Sequence, residues 1–141
     1  NPSVRGFETY FLSEARTEHE RRVAANENAP LRIYSGEENV GESPDLDFIL
    51  RELRNLDHQH WSANLAEIIQ DRVKTVHSGP DRGVKQGPFA VITNVLMPAV
   101  LVEIGFLTGR LDARRLEKPA HRKRVAYAIA KGILEYLAKL G

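Results

Sequence analysis

The sequence predicts an α/β fold: a twisted sheet, mostly parallel or mixed, with helices on both faces. Three observations predict it. Short aromatic or β-branched runs alternate with stretches of helical period. One run, Ala99 to Phe106 (AVLVEIGF), is apolar on both faces of a strand, as in a sheet covered from two sides. The last segment spaces Val125, Ile129, Ile133, Leu137 and Leu140 at or near four-residue steps, the stripe of an amphipathic helix packed on a sheet.

The elements follow in chain order. Gly6 to Leu12 (GFETYFL) alternates loosely and is rich in aromatics, which predicts a strand. Ser13 is a candidate cap for the next helix. Residues 13–29 (SEARTEHERRVAANENA) are strongly charged, with a weak apolar stripe of Ala15, Val23 and Ala24, so this helix should lie mostly in solvent. YSGEENVGESP reads as an acidic loop with two glycines. It ends in Ser43-Pro44-Asp45, an N-cap followed by proline at the first helical position.

Leu46, Ile49, Leu50, Leu53 and Leu56 then recur at helical spacing. After the polar DHQH patch, so do Trp61, Leu65, Ile68, Ile69, Val73 and Val76. Two helices are predicted, or one broken near Asp57. HSGPDRG, His77 to Gly83, reads as a turn. Phe89 to Val95 (FAVITNV) and AVLVEIGF are predicted strands separated by Pro98, both central in the sheet. DARRL, from Asp112, starts a short helix. Three strands are too few for such a sheet, so the chain is expected to hold only part of it.

Bulk properties narrow the function. A chain of 141 residues is long enough for one domain with a real core. Lys and Arg number 20 against 19 Asp and Glu, a net charge of +1 that argues against a chain built to hold nucleic acid or an anionic membrane. No apolar run is long enough to span a bilayer. Cysteine is absent, which excludes disulfides and thiolate chemistry. The chain opens at NPSVRGFETY without a methionine or a signal peptide, which suggests an excised piece or a processed protein.

Glu103 stands out. An ionised carboxylate inside an apolar strand is costly unless it is paired or bound to a metal. It lies near the C-terminal end of its predicted strand, the edge where ligands collect in open α/β sheets, and Gly105 permits a close backbone approach there. Two readings stand: a functional carboxylate, or a buried ion pair with an Arg or Lys.

Three stretches, RGFETYFL, DRGVKQGPFAVITNVLMPAVLVEIGFLTG and VAYAIAKGILEYL, carry a resemblance. Together they resemble the zinc-dependent N-acetylmuramoyl-L-alanine amidases, the type 3 amidase family of peptidoglycan hydrolases. The resemblance runs from residue 5 to the end, with one divergent stretch. In that family the Glu of the VEIGF motif is catalytic beside the zinc, and the matching position is Glu103. The implied chemistry is metal-assisted hydrolysis of the amide between N-acetylmuramic acid and L-alanine of the stem peptide, with Glu103 as general base.

The family's zinc ligands, two His and a Glu, precede the GFETY segment, so the resemblance places them upstream of residue 1 and none in this chain. Residues 1–141 then correspond to the C-terminal portion of a single catalytic domain, and the isolated chain is expected to be inactive. A non-catalytic regulatory or binding module that kept the fold is the alternative. The five histidines offer no substitute. His58 and His60 are two apart and point to different faces of a helix. His19 falls in a charged helix, His77 in a turn, and His121 opens the basic HRKR, read as a solvated face.

The divergent region, about residues 13–60, resembles the insertion of the bacterial cell-division amidases, where a helix covers the active site until an activator with a LytM-type domain displaces it. The resemblance then implies a zinc-capping carboxylate from GEENVGES, with Glu37, Glu38 and Glu42 as candidates. In DRGVK, Arg82 and Lys85 are candidates for a stem-peptide carboxylate, against a turn held by a local Asp81–Arg82 pair. Glu8 is expected to orient its neighbours by hydrogen bonding. Gly109 stands where the family often has Asn, and is expected to close a turn. The implied place is the bacterial envelope, in the periplasm, or else secreted or cell-wall associated.

Overall fold

The computed structural model describes residues 1–35, 58–93 and 95–141. Its sheet has three strands: β1 (Phe7–Leu12), β2 (Asp81–Gly87) and β3 (Leu101–Glu103). The order is β2-β1-β3, with β2 parallel and β3 antiparallel to β1, a mixed sheet. The helices are α1 (Glu18–Ser35), α2 (His58–Lys74), α3 (Arg110–Glu117) and α4 (Pro119–Leu140).

Alternation along β1 sends its side chains to two cores. Phe7 packs with Leu65, Ile69 and Val73 of α2 and with Val125, Ala128 and Tyr136 of α4. Tyr10 and Leu12 pack on the other face with Ala24 of α1, Phe89 and Ile92. Helices therefore cover both faces. In β3, Val102 joins the first cluster and Leu101 the second, which explains why that run is apolar throughout.

Two strand expectations are overturned. Residues 81–87 were expected to begin in a turn, yet they form β2, because pairing with β1 outweighs the low strand propensity of two glycines and three charges. Phe89 to Val95, expected as a strand, contains instead a 3-10 turn at Ala90–Ile92. That turn directs Phe89 and Ile92 into the second core and leaves Val91 exposed. Among the described residues β3 has one strand neighbour and β1 is central, not the two late strands.

Thr17, not Ser13, starts α1. Its Oγ1 accepts the Glu20 N–H at 3.1 Å, while Glu20 turns back to the Arg16 N–H, close to a capping box. Ser13 instead donates its N–H to Gly87 and accepts from Gln59. The helix runs on past Pro30 to Ser35. The predicted helix over Leu46 to Leu56 lies outside the described residues.

The stripe on α4 is rotated from expectation. His121, Val125, Ala128, Gly132 and Tyr136 are buried, and Ile133, Leu137 and Leu140 are largely exposed. His121 is thus buried, and only the remainder of HRKR is solvated. On α2, Trp61 is 40% exposed, and a polar residue, Gln70, lies in the core. Gln70 satisfies its amide fully: it accepts from Thr9 Oγ1 and donates to the Phe7 carbonyl and Asp81.

Candidate functional site

Glu103 ends β3, and its antiparallel partner on β1 is Glu8. Because β3 runs against β1, the C-terminal end of β3 meets the starting ends of β1 and β2. Glu103 thus stands at the C-terminal end of its own strand, as the sequence suggested, and the site lies where the two parallel strands begin. Glu103 is half-buried rather than buried.

The two carboxylates have unlike surroundings. Glu8 is wholly buried and fully engaged. Its Oε1 receives the Tyr10 hydroxyl at 2.7 Å and lies 2.8 Å from His19 Nε2 of α1. Its Oε2 receives Arg82 Nε at 3.1 Å. The Arg82 guanidinium also lies over the Phe106 ring, 5.0 Å from its centroid. Glu8 thus orients its neighbours as expected, and the Asp81–Arg82 pair does not form: Asp81 turns to Gln70, and Arg82 to Glu8.

A bulge aims Arg82. Phe7 pairs with Asp81 and Thr9 with Val84, so two residues of β2, Arg82 and Gly83, oppose Glu8 alone. Gly83 has φ +84°, a conformation that glycine adopts without penalty. Lys85 stands further along β2 opposite Tyr10, half-buried, with no ion pair among the described residues. Burial, then its bond to Glu8, drives the Tyr10 hydroxyl pKa far up, so it stays protonated and donating.

Glu103 has no cation bonded to it among the described residues. Desolvation raises its pKa from 4.5 to about 7; the charge of Glu27, the charge of Glu8 and a hydrogen bond with Glu27 add to the rise. The ion-pair reading of Glu103 therefore belongs to Glu8. Glu27, on the exposed part of α1, is the acid that this helix brings to Glu103. Glu37, Glu38 and Glu42 lie outside the described residues. Sequence reasoning missed Glu27, yet a signal was present. Glu20, Ala24 and Glu27 follow helical spacing, so the face of α1 that buries Ala24 also carries two acids.

Beyond Glu103 the chain passes through Gly105 and Phe106 to α3, whose first turn holds buried Asp112. His77 and His121 are buried nearby with ring centroids 5.1 Å apart. Neither burial was legible in a turn and a basic tetrapeptide. Gly109 does form a turn, donating its N–H to the Phe106 carbonyl. Among the described residues no three His, Cys, Asp or Glu side chains are grouped to hold a metal ion. Zinc does not fit these residues alone. No described helix is long and apolar enough to cross a membrane.

Chemically, a carboxyl with a pKa near 7, partly open to solvent and without a counter-ion, can take and return a proton at neutral pH. A family model described as N-acetylmuramoyl-L-alanine amidase (Amidase_3) matches residues 1–135. The N-acetylmuramoyl-L-alanine amidase AmiA of Escherichia coli (strain K12) is 29% identical over 138 residues, covering 96% of this chain and 47% of that protein. The crystal structure of an N-acetylmuramoyl-L-alanine amidase from Clostridium difficile 630 has the same fold, with TM-score 0.62 at 20% identity, covering 100% of this chain and 53% of that one. The CwlD amidase of Clostridioides difficile, solved in complex with the GerS lipoprotein, gives TM-score 0.57 at 16% identity, over 98% of this chain and 49% of that one. The chain thus spans about half the length of these relatives.

Proposed function

The chain belongs to the N-acetylmuramoyl-L-alanine amidase family, and from that premise we propose that it carries the general base of a peptidoglycan amidase, Glu103. The bond cut is the amide between N-acetylmuramic acid and L-alanine of the stem peptide. The observation that carries the reading is the state of Glu103: half-open, without a cation among the described residues, and with its pKa pushed up to about 7.

In this reading Glu103 takes a proton from the attacking water and delivers it to the departing amine. Glu8 is held by Arg82, His19 and Tyr10, opposite Glu103 across the strand pair. Arg82 is committed to Glu8, which leaves Lys85 the freer cation for a stem-peptide carboxylate. Zinc, whose ligands the family resemblance places upstream of residue 1, would supply Lewis-acid activation when bound. The envelope, and the periplasm in particular, is where such a substrate lies.

The region from about residue 13 to 60 serves as the regulatory insertion. Support comes from α1, which lays Glu27 against Glu103. A LytM-type activator would draw this region away; the solved amidase–lipoprotein complex offers a precedent for partner binding on this fold. Deleting residues 36–44 from the enzyme with its upstream segments should raise basal activity, and unchanged basal activity would remove the regulatory assignment.

The direct test is Glu103→Gln in the same protein, assayed by release of stem peptide from muropeptides. A loss of about 10²–10⁴-fold in kcat with metal content unchanged is expected. Full turnover would sink the assignment.

A further inference from the structure

The stretch after Glu103 is gripped by two buried side chains that the proposed chemistry does not use. His77 follows α2. Its Nδ1 accepts the Gly79 N–H at 2.9 Å, so the ring proton of neutral His77 sits on Nε2. Nε2 lies 2.9 Å from the carbonyl oxygen of Ile104, the residue next to Glu103. Asp112 grips the other side. Its Oδ2 accepts the N–H of Phe106 and the N–H of Gly6, both at 2.9 Å, while Oδ1 receives Arg115 at 3.0 Å. Gly105 thus sits between a pinned carbonyl and a pinned amide.

Ring contacts hold His77 in place. The Phe7 ring packs on it at 4.7 Å and the His121 ring at 5.1 Å. Arg115 reaches the same turn, its guanidinium beside Gly79. Asp112 is already taken by two amides and Arg115. Burial first, and then nearby His77, Arg124 and Arg115, push the His121 pKa down.

We infer that His77 is a positioning residue for Glu103: through its Nε2–H it fixes the Ile104 carbonyl, and so sets where β3 ends and where the Glu103 carboxyl points. The inference rests on Glu103 being the base. His77 touches no reacting atom and acts only through the backbone of its neighbour. Tying the strand end to a ring that is itself locked by Gly79, Phe7 and His121 restricts Glu103 more than one strand bond from β1 would.

The test compares His77→Leu with His77→Gln, because Gln can place an amide N–H where Nε2 stood and Leu cannot. In the enzyme with its upstream segments, Leu should lower kcat by about 10–100-fold with KM nearly unchanged, and Gln should restore most of it. In the same protein, a carbon-13 titration of the Glu103 carboxyl should show its midpoint falling in the Leu variant, as the strand end opens to water, and returning in the Gln variant. Equal behaviour of the two variants in both measurements would overturn the inference. If the Leu variant does not fold, nitrogen-15 spectra of the unmodified His77 ring decide: protonation at Nε2 supports the inference, and protonation at Nδ1 refutes it. If Glu103→Gln keeps full turnover, the base assignment fails by itself, while the titration and ring spectra still report whether His77 holds the strand end.

Discussion

Glu8 and Glu103 stand opposite one another across β1 and β3, and among the described residues Glu8 has a cation and Glu103 has none. Like charges directly opposite in a sheet repel. The structure divides the pair: Arg82, His19 and Tyr10 engage Glu8, while burial first, and then the charges of Glu27 and Glu8, raise the Glu103 pKa. Glu8→Gln should therefore have two effects. It removes a buried acceptor of three polar groups, and should cost about 1–3 kcal/mol in urea unfolding. It also removes a negative charge beside Glu103, whose titration midpoint should fall. A midpoint that stays near 7 would show that Glu8 does not act on Glu103.

The same shift has a sign in stability. Glu103 titrates near 7 in the folded chain against 4.5 for an ordinary carboxyl. Between these values the folded state holds more protons than the unfolded state, so stability falls as pH rises through that window. Glu103→Gln removes this dependence. Relative to the parent, the variant should gain Tm at pH 8 and gain least at pH 5. A gain that is equal at both pH values would contradict the raised pKa.

Glu27→Gln isolates the contribution of α1. It removes the negative charge of Glu27 while keeping a side chain able to hydrogen-bond. The Glu103 midpoint should move down from about 7, and the acidic limb of the enzyme's pH profile should move with it. The measurement is again the carboxyl titration, paired with kcat/KM against pH. No movement in either would detach α1 from the site.

Much of the fold was legible because its signals are local. The aromatic run of β1, the period of α2 and the apolar run around Leu101 and Val102 each state their burial in their own residues. β2 was not legible, because its stability comes from β1: Asp81 to Gly87 contains no strand signal that outweighs two glycines. FAVITNV misled for the opposite reason. Its apolar residues are core residues, but a 3-10 turn delivers them. In the site, Glu103 was legible as a carboxylate out of place. His77 and Asp112 were not, since their partners are backbone groups brought close only by the fold.

The bulge at Gly83 gives the most local prediction. Its φ of +84° is open to glycine and strained for other residues, and no atom lies within 4 Å of where a Cβ would project. Gly83→Ala therefore meets no clash and should cost only the backbone strain, about 1–2 kcal/mol. Asn tolerates positive φ better than Ala, so Gly83→Asn should cost less. If the chain relieves the strain by losing the bulge, Arg82 is re-aimed and leaves Glu8 buried without its guanidinium. Urea unfolding of the two variants separates these outcomes. A small loss, graded Ala over Asn, means that the bulge holds. A loss well beyond backbone strain means that the Arg82–Glu8 pair has gone. No loss in either variant would show that the bulge does not depend on glycine.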